Sequence, residues 1–187
     1  MELSLQSTTL TLIENCLQGN RESYRLLYDQ YAKAMYNTAF RILNNQADAE
    51  DILQEAFIDA FQTLKNFRNQ ASFGSWLKRI VIHKSINHIK RDRKNWVEVD
   101  RQEIDQYAYQ DEAEPDEAEF VYRVESIKQA IRLLPDGYRT VLSLHLIENI
   151  KQEDIAQLLG ISHATVRTQY LRAKKKLLTI ITQQDLL

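Results

Sequence analysis

Apolar residues recur at three- and four-residue steps through most of this chain, the spacing of amphipathic helices. Tyr24, Leu27, Tyr28, Tyr31, Met35, Ala39 and Ile42 form one such stripe. Asn44 and Asn45 interrupt it, since asparagine bonds its own backbone and favours turns. Asp48 is the expected cap of the next helix, with Glu50 and Asp51 suited to its positive N-terminal end. The buried stripe of that helix is expected to be Ile52, Ala56, Phe57, Ala60 and Leu64. Ser72 is placed to cap a third helix, with Phe73, Trp76, Leu77 and Ile80 along one side. From Arg93 to Glu119 the periodicity fades, acids accumulate and Pro115 appears near the end, which reads as a linker. Fully extended, its ~27 residues span on the order of 90 Å at ~3.3 Å each. Val121, Val124, Ile127, Ile131 and Leu134 resume a helical stripe. Pro135-Asp136-Gly137 marks a turn, and Val141, Leu144 and Ile147 start another stripe.

The expected fold is therefore all-α, with two small helical domains, 1–94 and 118–187, joined by an acidic linker over 95–117. A length of 187 residues accommodates one large domain or two small ones. Only 4 glycines and 2 prolines are present, which argues against turn-rich β architectures. Cys16 is the sole cysteine, so an internal disulfide and a multi-cysteine metal site are excluded. His83, His88, His145 and His163 lack metal-ligand spacing, and no phosphate loop or nucleophile–base pair is evident. No cofactor, metal or enzymatic activity is expected. The chain has no apolar run near the ~20 residues that span a bilayer. Its start, Met1 to Gln6, lacks the basic and apolar segments of a secretory signal. The expected location is the cytoplasm, without membrane insertion.

Charge changes the picture more than composition does, because the net charge of −2 conceals a segregation. Asp48, Glu50, Asp51, Glu55 and Asp59 form a run without a base. Lys65 to Lys94 holds nine bases against Asp92 alone. Glu98 to Glu119 holds ten acids against Arg101 alone. Arg167, Arg172, Lys174, Lys175 and Lys176 then form a second basic patch. Two basic patches on a nearly neutral chain, each beside a helical motif, point to two polyanion contacts.

The second patch lies in a recognisable motif, Gln152 to Tyr170. Ile155 and Leu159 face a core, and Ala156 is small where two helices cross. Gly160 suits a left-handed helix end, Ile161 fills the corner, and Ser162 caps the next helix with Thr165 at its third position. Val166, Tyr170, Ala173 and Leu177 are that helix's inner stripe. This is a helix-turn-helix, whose second helix enters the major groove. Ser162, His163, Thr165, Arg167, Thr168, Gln169 and Arg172 are its candidate DNA-facing residues, since arginine and glutamine pair with base edges. Lys174, Lys175 and Lys176 are candidates for phosphate.

Asp48 to Phe57, then Phe61, Leu64 and Phe67, then Arg68 to Ile80 and Ile89 to Arg91 together resemble region 2 of sigma-70 family initiation factors. The likeness is to the compact extracytoplasmic-function (ECF) group. Leu133 to Leu142 and the helix-turn-helix resemble region 4 of that group, so the likeness covers roughly 20–94 and 118–180. The resemblance implies a transcription initiation factor that binds core RNA polymerase, melts the −10 promoter element and holds the −35 element. It implies contacts with the β′ clamp helices and the β flap, promoter DNA as a second partner, and an anti-sigma factor as a third. The β′-binding helix would use Asp48, Glu50, Asp51, Gln54, Glu55 and Ile58, with Leu53 as a further apolar anchor and Phe57 in the core. The −10 element would meet Phe67, Arg68, Asn69, Ser72, Phe73, Lys78, Arg79, His83, Lys84, Lys90 and Arg91. A loop of aromatic and short polar groups can stack on and hydrogen-bond an unpaired base. Trp76 matches a structural position of the family, and the linker would follow the polymerase's RNA exit path. Three positions depart from the pattern: His83 where asparagine is common, Lys151 where a serine or threonine cap is common, and Tyr170 for leucine. Two other readings of the residues stay open: a dimeric helix-turn-helix operator binder, and a polymerase-binding adaptor without initiation activity.

Overall fold

The computed structural model of the chain describes residues 2–68, 71–92 and 117–184. Among the described residues the regular elements are all helical. They divide into two compact units, Met1–Asp92 and Arg93–Leu187. The expected linker over 95–117 lies outside the described residues, apart from Glu117. No described helix is long and apolar enough to cross a membrane.

The first unit holds α1 (Glu2–Leu17), α2 (Arg21–Leu43), α3 (Gln46–Gln62), a 3-10 turn at Leu64–Asn66, and α4 (Phe73–Asp92). Its caps follow local chemistry. The Asn20 side chain accepts from Ser23 N at 3.1 Å and opens α2. Asn44 ends that helix in the left-handed region (φ 54), which asparagine tolerates. The cap of α3 is Asn45, not the expected Asp48: its Oδ1 accepts from Ala47 N at 2.9 Å and Asp48 N at 3.3 Å. The helix starts earlier than its apolar stripe does, so Asp48 already lies in the first turn, where its charge favours the helix dipole. Ser72 caps α4 as expected, accepting from Ser75 N at 3.2 Å.

Helices α2, α3 and α4 pack around Leu27, Met35, Ile52, Phe57, Leu64, Leu77 and Val81. Ala39, Ala49, Ala56 and Ala60 are all 0% exposed, and such small residues let helices approach closely. Gly74 serves the same end, because a Cβ there would meet the Tyr31 ring at 2.9 Å. Helix α1 completes the unit by burying Thr9, Ile13 and Cys16. The Thr9 hydroxyl lies 3.3 Å from Tyr31 Oη, and Tyr24 Oη donates to the Cys16 carbonyl at 2.9 Å. Burial pushes the Cys16 thiol pKa up, which keeps it protonated.

The second unit holds α5 (Glu117–Arg132), α6 (Asp136–Leu142) continuing into a π turn (Ser143–Ile147), α7 (Gln152–Leu159) and α8 (His163–Gln184). Asp136 and Gly137, expected in a turn, belong to α6, with Pro135 in front of it and Arg139 N bonded to Pro135 O at 2.9 Å. The buried Arg139 guanidinium closes that corner, donating to Leu134 O at 3.0 Å and to the Asp136 carboxylate. Burial pushes its pKa down. Val141 and Leu144 are buried as expected, but Ile147 is 41% exposed. The wider π turn carries it off the stripe. Ile127 is exposed as well. Gly160 ends α7 at φ 70, with its N–H on Ala156 O at 2.9 Å and Ile161 N following at 3.1 Å. Ser162 accepts from Thr165 N at 3.0 Å and opens α8, while Lys151 gives α7 no side-chain cap.

Two substitutions test this corner by urea melting. Gly160→Ala lowers stability by about 1–2 kcal/mol, the cost of a Cβ at positive φ. Ser162→Ala lowers it by about 1 kcal/mol through the lost cap.

Candidate nucleic-acid interface

Helical phase sorts the acids of α3 into two faces. Glu50, Asp51 and Gln54 are exposed, and Ile58 joins them at 55% exposure. Asp48 and Asp59 turn towards α4, with Glu55 at the edge between the faces. Asp48 Oδ2 lies 3.5 Å from His88 Nε2. The Lys84 ammonium lies 2.7 Å from Asp59 and 3.2 Å from Glu55. Burial works to lower the Lys84 pKa, but its bonds to Asp59 and Glu55 and their charges outweigh this and raise it. Two expectations change accordingly. Asp48 lies against His88 of α4 instead of sharing the exposed face, and Lys84 is bound within the unit instead of being presented to phosphate. Leu53 is buried with Phe57 in the core, leaving Ile58 as the exposed apolar group.

The basic face of α4 presents Arg79, His83, Lys90 and Arg91 as exposed residues, with Lys78 half-buried. Phe73, expected at the DNA, is 3% exposed. Its ring packs on Tyr31 at 5.2 Å, Phe67 at 5.8 Å and Trp76 at 5.6 Å, so it is core. Phe67 and Trp76 are half-buried with centroids 5.4 Å apart, and they keep part of each ring at the surface. They wall an open depression of about 250 Å³ whose polar lining comes from Asn66, Arg68, Ser75 and Arg79. Ser72 is exposed but engaged in capping. Asn69 lies outside the described residues. A neighbouring depression of about 410 Å³ is lined by Arg79, His83, Lys84 and Asn87, with Asp59 on its wall. Asn87 was missed from sequence, although it follows His83 by one helical turn.

On α8, His163, Arg167, Lys175 and Lys176 are exposed, and Thr165, Thr168, Arg172 and Lys174 are half-buried. Thr165 is tied to the Ser162 cap, and Thr168 Oγ1 donates to Ala164 O at 2.9 Å. His163 stands 3.5 Å from Glu153 on α7. Lys174 sits 5.9 Å above the Tyr170 ring. Gln169, expected to face DNA, is 5% exposed and lies in the interior of the unit. Its amide faces α6, where a Cβ on Gly137 would meet it at 3.6 Å. Leu171 and Leu178, unmarked by the sequence reading, are 42% and 49% exposed on the face shared with Arg167 and Lys175.

A basic helix beside an aromatic-walled depression in one unit, and a helix-turn-helix in the other, are arrangements suited to nucleic-acid contact. Residues 27–95 match the family Sigma-70 region 2, and residues 125–177 match Sigma-70, region 4. The chain is 31% identical to the RNA polymerase sigma-H factor of Pseudomonas aeruginosa, over 88% of this chain and 89% of that protein. It is also 31% identical to the ECF RNA polymerase sigma factor SigW of Bacillus subtilis, over 88% and 92% of the two chains. Among solved structures, the sigma factor RpoE of Bartonella quintana, crystallised with the anti-sigma factor NepR, shares the fold. Its TM-score is 0.51 at 16% identity, covering 86% of this chain and 98% of that one. The chain belongs to the sigma-70 family of RNA polymerase sigma factors, in its ECF group. It is a transcription initiation factor that directs RNA polymerase to promoters.

The separation of core from contact is open to a stability test. Phe73→Ala costs about 3–5 kcal/mol, as for other buried phenylalanines. Arg68→Ala stays within about 0.5 kcal/mol, as for other exposed positions. Urea melts of both variants check it, and equal stabilities would return Phe73 to the contact surface.

Proposed function

We propose that the exposed face of α3, the Phe67–Trp76 rim with α4, and α8 divide the work of initiation among them. The carrying observation is the sorting of charge: Glu50, Asp51, Gln54 and Ile58 are exposed together on α3, while exposed bases lie on α4 and α8. The acidic face, with Glu55 at its edge, meets the β′ clamp helices of core polymerase. Phe67 and Trp76 offer ring surface to an unpaired base of the −10 element, and Arg68, Arg79 and His83 supply polar contacts around it. Lys78, Lys90 and Arg91 take backbone phosphates. In the second unit, His163, Arg167 and Arg172 read the −35 element, and Lys174, Lys175 and Lys176 hold its phosphates. Residues 95–117 act as an acidic tether between the two activities, and the second unit also meets the β flap. The chain acts without catalysis of its own, in the cytoplasm. An anti-sigma factor is a further partner in this reading, as NepR is for the Bartonella quintana sigma factor.

Run-off transcription with core polymerase tests the whole assignment. A dimeric operator binder would occupy duplex DNA without polymerase, and an adaptor would bind polymerase and start no transcript. Replacing Glu50 and Asp51 together by lysine weakens core binding at least tenfold with unchanged helicity, measured by titration and circular dichroism. Arg167→Ala costs about 1–3 kcal/mol on the best −35 sequence and relaxes selectivity there. Lys175→Ala weakens all −35 sequences alike and reduces the salt slope by about 1. Holoenzyme binding to −35 variants at several salt concentrations separates these two outcomes.

A further inference from the structure

One cation of the first unit is held on the seam between the helix assigned to polymerase and the helix assigned to DNA. Lys84 extends from α4 and its side chain is 20% exposed, whereas its partners Glu55 and Asp59 on α3 are 53% and 49% exposed. The two acids are one helical turn apart, so a single ammonium reaches both. The contacts are unequal: 2.7 Å to Asp59, which turns towards α4, and 3.2 Å to Glu55. Glu55 follows Asp51 by one turn and stands at the edge of the face that carries Gln54 and Ile58. It therefore stands where both Lys84 and an incoming basic partner can reach it. A basic group docking at Glu55 competes with Lys84, and attraction between charges at this range is strong enough to matter even beside water. Asp59 keeps the ammonium if Glu55 is taken, so no partly buried charge is stranded by the exchange.

We infer that Lys84 is a positioning residue acting through Glu55, an internal stand-in for the basic group that core polymerase brings, and that it holds the affinity of α3 for polymerase below its maximum. The inference rests on the assignment of α3 to polymerase. It departs from ordinary structural bracing in the sign of its consequence. A mere brace, when removed, loosens α3 and weakens core binding. An internal competitor, when removed, leaves Glu55 unpaired and strengthens it.

The experiment is a titration of core polymerase with the full chain, wild type against Lys84→Met, Lys84→Arg, Glu55→Gln and the Lys84→Met/Glu55→Gln pair, with thermal melts of each. Lys84→Met is expected to tighten core binding about two- to fivefold, the range set by exposed ion pairs, and to steepen its salt dependence. Lys84→Arg restores wild-type affinity. Glu55→Gln weakens binding more in the methionine background than in the wild type, because its charge is then unshared. Lys84→Gln retains a donor to Asp59 without the charge, and it carries the same test if the methionine variant does not fold. Unchanged or weaker binding by a folded Lys84→Met or Lys84→Gln chain overturns the inference while leaving the polymerase assignment intact. A wild-type chain that fails to bind core polymerase overturns both.

Discussion

Close approach of α3 and α4 is the constraint from which the rest of the first unit follows. Fully buried alanines at 49, 56 and 60 of α3 let that helix lie near its neighbours. On α4, Ser85 is fully buried and bonds its own helix at Val81 O, which satisfies its hydroxyl inside the unit. Once the helices are this close, phase decides everything else. Asp48 and Asp59 fall towards α4, with Glu55 at the edge, and α4 answers with His88 and Lys84 at matching heights. Glu50, Asp51, Gln54 and Ile58 are exposed, clear of the packing. A single acidic run in the sequence thus serves both internal ion pairs and an exposed surface.

The second unit reaches its working form by a different route, through helix ends. Gly160 at positive φ and the Ser162 cap set the direction of α8, and Val166 and Ala173 seat it. The π turn ending α6 shortens the ordinary helical ladder and lets Ile150 N bond Leu144 O at 2.9 Å before α7 begins. His145 is carried by that turn to bond Ile150 O at 2.9 Å and to meet Tyr170 edge-on at 4.8 Å. The tyrosine that departs from the family's usual leucine is accommodated by a ring partner. It gives α8 an aromatic contact with the preceding segment.

The parts legible in sequence were those governed by near neighbours. Ser72, Ser162 and Gly160 announce their helix ends because the chemistry of a cap acts within three residues. The stripes of α2 and α3 were legible because leucine, isoleucine and alanine recur at helical spacing. What escaped was decided by long-range packing. Helix α1 buries Thr9 and Cys16 beside Ile13, residue types that weaken an apolar stripe, and Thr9 is acceptable inside because tyrosine and glutamine from α2 satisfy it. Phe73 and Gln169 carry side chains that suit DNA contact, yet a ring with three aromatic neighbours and an amide facing α6 are interior groups. Residue type told what each could touch, and phase told what it does touch.

Ion pairing on the α3–α4 seam adds little to stability. Glu55 and Asp59 are about half exposed, water screens such pairs, and their typical worth is below about 1 kcal/mol each. The buried alanines, Ile52, Phe57, Leu77 and Val81 hold the helices together without help. An arrangement with so small a share of the folding energy is free to vary in strength without unfolding the unit. That freedom is what a surface needs when it must exchange an internal partner for an external one. The apolar packing fixes the distance between the helices, and the charges laid across it remain adjustable.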